Sequence, residues 1–330
     1  MFANDKKVYH PIPAEWDPVV YSSKIEDTAH DNCVLTQLCN REYEGELKGF
    51  GSKLVIRTMP ELKVRDWAPG SPFIPQRPTS DAITVTVGRA YEGSFPIDDW
   101  DMMNSDIKGW EQKWAAKIAI AADEKQEQEF FSEFPAFAHP DNQGDNAGAS
   151  THTFHLGTLA APILLTHDGR GYTPGEGGAL PTMDATNLFL DAEVVHAEQE
   201  GASAATGKFT VVPHAILNII RKNEIWAKAA YSGDSQSILR KSVLAAGSLG
   251  VGGFTVYATN HLKPVTEVSG HKVYAIPFGD TRAVTYADLF SRVDIKDEPH
   301  TVGVKYQVIT GGYDWWCVHP EYFGVMYVAL

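Results

Sequence analysis

The sequence predicts an α+β fold, and three features carry that prediction. Ile83-Thr84-Val85-Thr86-Val87 alternates apolar and polar residues with the period of a strand. A helical stripe of apolar residues spans about 98–133, and the C-terminal third is rich in short apolar runs of strand length. Of the 330 residues, 43% are hydrophobic and 11% aromatic, which excludes a disordered chain and suits one large domain or two to three smaller ones.

In chain order, a Pro-interrupted stretch (Pro11, Pro13, Pro18) precedes an expected helix over Tyr21 to Arg41, so residues 1–51 read as an arm lying on something else. Lys53 to Arg57 reads as a strand, and Ile83 to Val87 as its partner, continuing through Tyr91 to Phe95. The five prolines between them, Pro60, Pro69, Pro72, Pro75 and Pro78, exclude a helix or a central strand. The expectation is a long two-stranded ribbon over about 52–95, too thin to be stable without contacts from its own chain or another copy.

The helix expected next is the strongest in the sequence. Asp98 and Asp99 offer an N-cap, and Trp100, Met103, Ile107, Trp110, Trp114, Ile118 and Ala121 form one stripe ending before Pro135. At 1.5 Å per residue such a helix is about 50 Å long, a spine. Two and a half heptads are few for a coiled coil.

Further on, Thr151 to Leu156 is a strand candidate, 167–178 a flexible loop, and Asp184 to Glu198 a second helix. Phe209 to Val212 reads as a strand entering a helix at Pro213, and Ser235 to Ala246 as another helix. Strands are expected at Phe254 to Ala258, Lys272 to Ile276, Val302 to Ile309, Trp315 to His319 and Val325 to Leu330.

Charge restricts function. The chain carries 28 Lys plus Arg against 42 Asp plus Glu, a formal −14, which argues against a nucleic-acid reader or a protein docked on anionic membrane. The acidity is concentrated: residues 101–200 hold 5 basic and 17 acidic groups. No apolar run reaches the roughly 18 residues of a spanning helix, and residues 1–16 lack a signal-peptide core, so export is not expected. The three cysteines, Cys33, Cys39 and Cys317, match neither a disulfide framework nor a zinc knuckle and fit a reducing cytoplasm.

The sequence nominates no active site. Gly247 to Gly253 follows a helix and opens a strand, the reverse of a dinucleotide loop. His196-Ala197-Glu198 has no following Pro-Cys-x-x-Cys to complete a deaminase zinc site, and His152 and His155 point to opposite faces of a strand. Neither an enzymatic role nor a cofactor or metal is expected.

The order of elements resembles the major capsid proteins of tailed bacteriophages, the Hong Kong 97-like fold. The residues that carry the resemblance are Ile83 to Val87 leading through Phe95-Pro96-Ile97-Asp98-Asp99-Trp100, then Phe209 to Pro213 with Gly250 to Asn260, and the closing Tyr313 to Val318. The resemblance implies an N-terminal arm (1–51), an extended loop (52–95), a peripheral domain (96–200 and 299–330) built on the spine helix, and an axial domain (201–298). It implies self-assembly into hexamers and pentamers of an icosahedral shell enclosing double-stranded DNA.

By the same resemblance, Lys63, Arg65, Trp67, Phe73 and Arg77 in the extended loop and Trp100, Trp110 and Trp114 on the spine are candidate assembly contacts. Glu124, Glu127 and Glu129 are candidate lumen-facing acids. The implied partners are further copies of the chain, a separate scaffolding protein, a portal protein, a decoration or cement protein and DNA held without sequence-specific binding, with no membrane. The implied location is the virion, with assembly in the bacterial host cytoplasm. Some family members cross-link an extended-loop Lys to a neighbour's Asn; Lys63 lies near that region, but no partner is apparent and a solvated lysine is the plainer reading. An encapsulin-type cargo shell and a soluble enzyme are the alternatives.

Overall fold

The computed structural model describes residues 33–43, 53–57, 64–72, 75, 82–98, 110–148, 154–199, 207–222, 249–251, 253–297 and 304–330. Alternation builds the ribbon as expected: β1 (Lys53–Arg57) and β2 (Ala82–Thr86) pair antiparallel, from Lys53 opposite Thr86 to Arg57 opposite Ala82. Leu54 lies opposite Val85, and Ile56 opposite Ile83, so one face is apolar. Ile56 and Val85 are buried against Val318, with Tyr43 and Trp316 alongside. The chain itself thus supplies the third layer at this part of the ribbon.

β3 (Arg89–Asp98) leaves the ribbon and joins a second sheet in the order β11-β12-β3, with β11 at Val284–Asp297 and β12 at Val304–Cys317. The two separate strands expected around 302–309 and 315–319 are one antiparallel strand, because Gly311-Gly312 is not a break. Gly311 sits opposite Tyr91, and a Cβ there would come within 2.4 Å of the Tyr91 ring, so glycine makes room for that ring. β11 was not anticipated.

The spine helix α2 is described at Trp110–Glu133, 24 residues or about 36 Å, and the expected stretch 99–109 lies outside the described residues. Its expected N-cap Asp98 is instead the last residue of β3, paired with Val304. Trp100, Met103 and Ile107 lie outside the described residues. Among the described residues the expected stripe is not the buried face: Trp114 is 50% exposed and Ala121 is exposed, whereas Ala122, Gln126, Glu127, Phe130 and Phe131 are buried. Two polar residues on that face broke the apolar periodicity. α2 crosses β3 closely at Gly93, where a Cβ would lie 2.2 Å from Ile118 Cγ2.

The largest sheet has eight strands. β5 (Thr182–Asp184), β4 (Ile163–Thr166), β13 (Phe323–Ala329), β10 (His271–Asp280), β6 (Lys208–Val212), β8 (Phe254–Ala258) and β7 (Leu249–Val251) follow in spatial order, with β9 (Thr266–Val268) paired to β10. Alternation sorts its side chains onto two cores. Val212, Ile276, Phe278, Met326 and Val328 pack with helix α3 (Ala185–Glu198) and helix α4 (His214–Lys222). Phe209, Val211, Ala275, Phe323 and Val325 pack with the C-terminal half of α2 and the short arm helix α1 (Leu35–Leu38). Both faces are covered, which explains why these strands read as apolar runs.

Several local expectations meet the structure here. Asp184 caps α3, accepting from Thr186 N at 2.9 Å. The 167–178 segment is tied back at Thr173, which bridges Thr182, and at Gly169, whose N–H donates to Asp184 at 3.0 Å. Only Phe154 to Leu156 of the Thr151 candidate is described, and Phe154 forms an isolated bridge with Ala147. The helix expected at Ser235 to Ala246 lies outside the described residues. Val304–Cys317 joins β3 beside α2, while Phe323–Ala329 sits centrally in the large sheet, and residues 163–198 share that sheet and core with 208–280.

Candidate functional site

Two clusters fix how the ribbon and the arm join the body. The first is centred on Arg89, the first residue of β3. Its guanidinium donates to both carboxylate oxygens of Glu133 on α2, at 3.0 and 2.5 Å, and to Asp314 Oδ1 on β12 at 3.2 Å. It also lies 4.1 Å from the centroid of the Trp315 ring and 3.5 Å from Glu129. The preceding residue, Gly88, donates its N–H to Asp314 Oδ2 at 2.9 Å. Strand, helix and sheet therefore meet at one planar cation, which suits the fork geometry of Arg and not the point charge of Lys.

Glu129 extends this cluster, accepting from Tyr313 at 2.6 Å and pairing with Lys125 at 2.6 Å. Burial alone would raise the Glu129 carboxyl, but the bonds from Lys125 and Tyr313 outweigh it and hold it below the usual carboxylate range. Burial and the bond to Glu129 push the Tyr313 phenol up.

The second cluster is centred on Glu127, which is fully buried on α2. Its Oε2 accepts from the N–H of Val34 at 2.5 Å and of Leu35 at 3.2 Å, both in the arm. Its Oε1 accepts from Thr259 Oγ1 at 2.7 Å and lies 3.0 Å from His261 Nδ1, in the segment after β8. Thr259 Oγ1 in turn accepts from the N–H of His261 at 3.1 Å. Cys33 stands beside them, its thiol pushed up to about 12 by burial and by the negative charge of Glu127, Asp123 and Glu124. The arm is further held where Asn40 N donates to Val284 O and Asn40 O accepts from Tyr286 N.

These contacts correct one expectation. Glu127 is buried among partners of its own chain and cannot face a lumen. Glu129 is partly exposed but ion-paired, and Glu124 is half-buried. Of the candidate assembly residues, Arg65 and Trp67 are exposed, and Trp67 Nε1 donates to Ser71 O at 3.0 Å. Trp114 packs on Phe95 with ring centroids 5.9 Å apart while keeping half its surface exposed. Trp110 begins α2. Lys63, Phe73, Arg77 and Trp100 lie outside the described residues.

The sequence did not single out Arg89, Glu133 or Asp314. Their separation along the chain hides them, and only the pairing of β3 with β12 brings them together. Of the histidines that drew attention, His196 is buried on α3 against Phe254 and His155 stacks on Tyr172 at 3.7 Å. No described helix is long and apolar enough to cross a membrane.

No protein-family model matches the sequence, and no curated protein matches it. Solved structures do match. A structure of Mycobacterium phage Che8 is similar over 95% of this chain and 98% of its own, with 15% identity and a TM-score of 0.62. The capsid of cyanophage P-SCSP1u is similar over 96% and 94%, with 11% identity and a TM-score of 0.63. The capsid of a native GTA particle is similar over 96% and 97%, with 14% identity and a TM-score of 0.60. Nearly end to end, this α+β chain therefore has the fold of the tailed-phage major capsid proteins.

Proposed function

We propose that the chain is a major capsid protein that self-assembles into hexamers and pentamers of an icosahedral shell enclosing double-stranded DNA. The observation that carries this reading is the likeness to phage capsid structures over about the whole of both chains. The exposed apolar residues of the ribbon support it. Val55 and Trp67 are each 53% exposed and Val64 is 99% exposed, surface that a neighbouring copy would cover.

In this reading the role is structural and not enzymatic, the chain is a virion component assembled in the host cytoplasm, and its partners include a scaffolding protein, a portal and a decoration protein. The division into arm, extended loop, peripheral and axial domains belongs to the same proposal, as do Arg65, Trp67 and Trp114 as assembly contacts. Acidic residues of the 101–200 block, Glu124 among them, face the lumen, where their charge repels packaged DNA from the wall.

The test is expression with and without the co-encoded scaffold, followed by sedimentation and electron microscopy. Closed shells of uniform diameter are expected. A protein that stays a small monomer under every assembly condition overturns the reading.

A further inference from the structure

We propose that Cys33, Glu127 and His261 form a site for a zinc-like divalent cation that staples the arm to the spine helix. The thiol, one carboxylate oxygen and one ring nitrogen lie within 4.8 Å of one another, brought together from the arm, α2 and the segment after β8. Tetrahedral zinc, with bonds of about 2.0–2.3 Å, separates its ligand atoms by about 3.3–3.8 Å, so the three donors need to close by less than about 1.5 Å. The Glu127 oxygen and His261 Nδ1, at 3.0 Å, need to open by only about 0.3 Å or more to reach that spacing.

The surroundings are those of a prepared carboxylate ligand. Val34 and Leu35 hold Glu127 Oε2 with two backbone N–H groups, which orients Oε1 toward His261. Thr259 braces Oε1 at 2.7 Å and the His261 backbone at 3.1 Å. A thiol, an imidazole and a carboxylate are a borderline-soft donor set that selects zinc over calcium or magnesium, which take oxygen ligands. A cavity of about 500 Å³, whose wall includes His261, Lys125 and Gln128, borders one of the three ligands. On binding, a Cys33 sulfur–metal bond forms and the thiol proton leaves to solvent.

The inference concerns contacts within one subunit and holds whether or not shells form. Its test uses the full-length protein, stripped with a chelator and titrated with zinc or with cobalt(II). The expected results are one zinc per chain, a melting temperature raised by several degrees, and a thiolate-to-cobalt charge-transfer band. Cys33→Ser removes the band and weakens zinc binding at least tenfold while leaving metal-free melting close to the parent. If that variant does not fold, His261→Gln serves, again read as loss of affinity. Absence of the thiolate–cobalt band in the parent protein, or zinc binding unchanged in Cys33→Ser, overturns the site.

Discussion

The guanidinium of Arg89 lies over the indole of Trp315 at 4.1 Å while both of its terminal nitrogens grip Glu133. One side chain therefore locks the first residue of β3 to the spine helix and to β12. Hydrogen bonding to the Glu133 carboxylate holds the guanidinium pKa above its ordinary value, against the opposing effect of burial. The exit of the ribbon from the body is set by this joint.

Arg89→Lys keeps the charge and loses the bidentate bond and the planar stack. Because the pair is partly solvated, the expected loss is about 1–2 kcal/mol of unfolding free energy. Arg292→Lys, on an exposed Arg292–Asp294 pair at 2.7 Å, is the control and shifts stability by less than about 0.5 kcal/mol. Equal effects from the two substitutions, measured by denaturant unfolding, would show that Arg89 is no joint.

Glu127→Ala removes the acceptor of the N–H groups of Val34 and Leu35 and the carboxylate beside His261 Nδ1. A loss of about 3 kcal/mol or more is expected in chelator, because breaking a buried polar network strands its other members. Hydrogen exchange reads the local effect directly. The amides of Val34 and Leu35 lose protection first, and unchanged protection there would refute the anchoring role of Glu127.

What was legible in the sequence follows the physics of each element. β2, α3, β6 and β8 stood out because strand alternation, an amphipathic helical stripe and apolar runs each act locally. The ribbon was readable for the same reason: prolines exclude the other options. The buried face of α2 was hidden because Gln126 and Glu127 occupy it and find partners far away in sequence, 93 residues in the case of Val34. β11 was missed because its alternation carries charges, as in Val293-Asp294-Ile295-Lys296. The Arg89 joint was invisible because it depends on a strand pairing more than 200 residues apart.

Gly93 permits the close crossing of β3 and α2. Gly93→Ala places a Cβ against Ile118 and is expected to destabilise by about 1–3 kcal/mol through overpacking. Adding Ile118→Ala removes the colliding methyl and restores part of that loss, giving a favourable coupling in the double-mutant cycle. Strictly additive effects would mean that the crossing is not limited by this contact.

Acid sensitivity should trace to His196. Burial lowers its pKa to about 4 from an ordinary 6.5, with Lys208 on β6 and Arg282 acting in the same direction and Asp280 on β10 against them. The folded state therefore keeps the ring neutral while the unfolded chain takes up a proton. Stability from this group is full above about pH 6.5 and is lost as pH falls toward 4, a change of about 3 kcal/mol across that window. Asp280, held below its usual range by Arg282 despite burial, titrates lower and loses its contribution in more acid solution. His196→Leu keeps an apolar filling near Phe254 and removes the proton site. The difference in unfolding free energy between parent and variant should shift by most of that amount from pH 7 to pH 4.5, in favour of the variant as pH falls. A difference that does not vary with pH would assign the acid sensitivity to other groups.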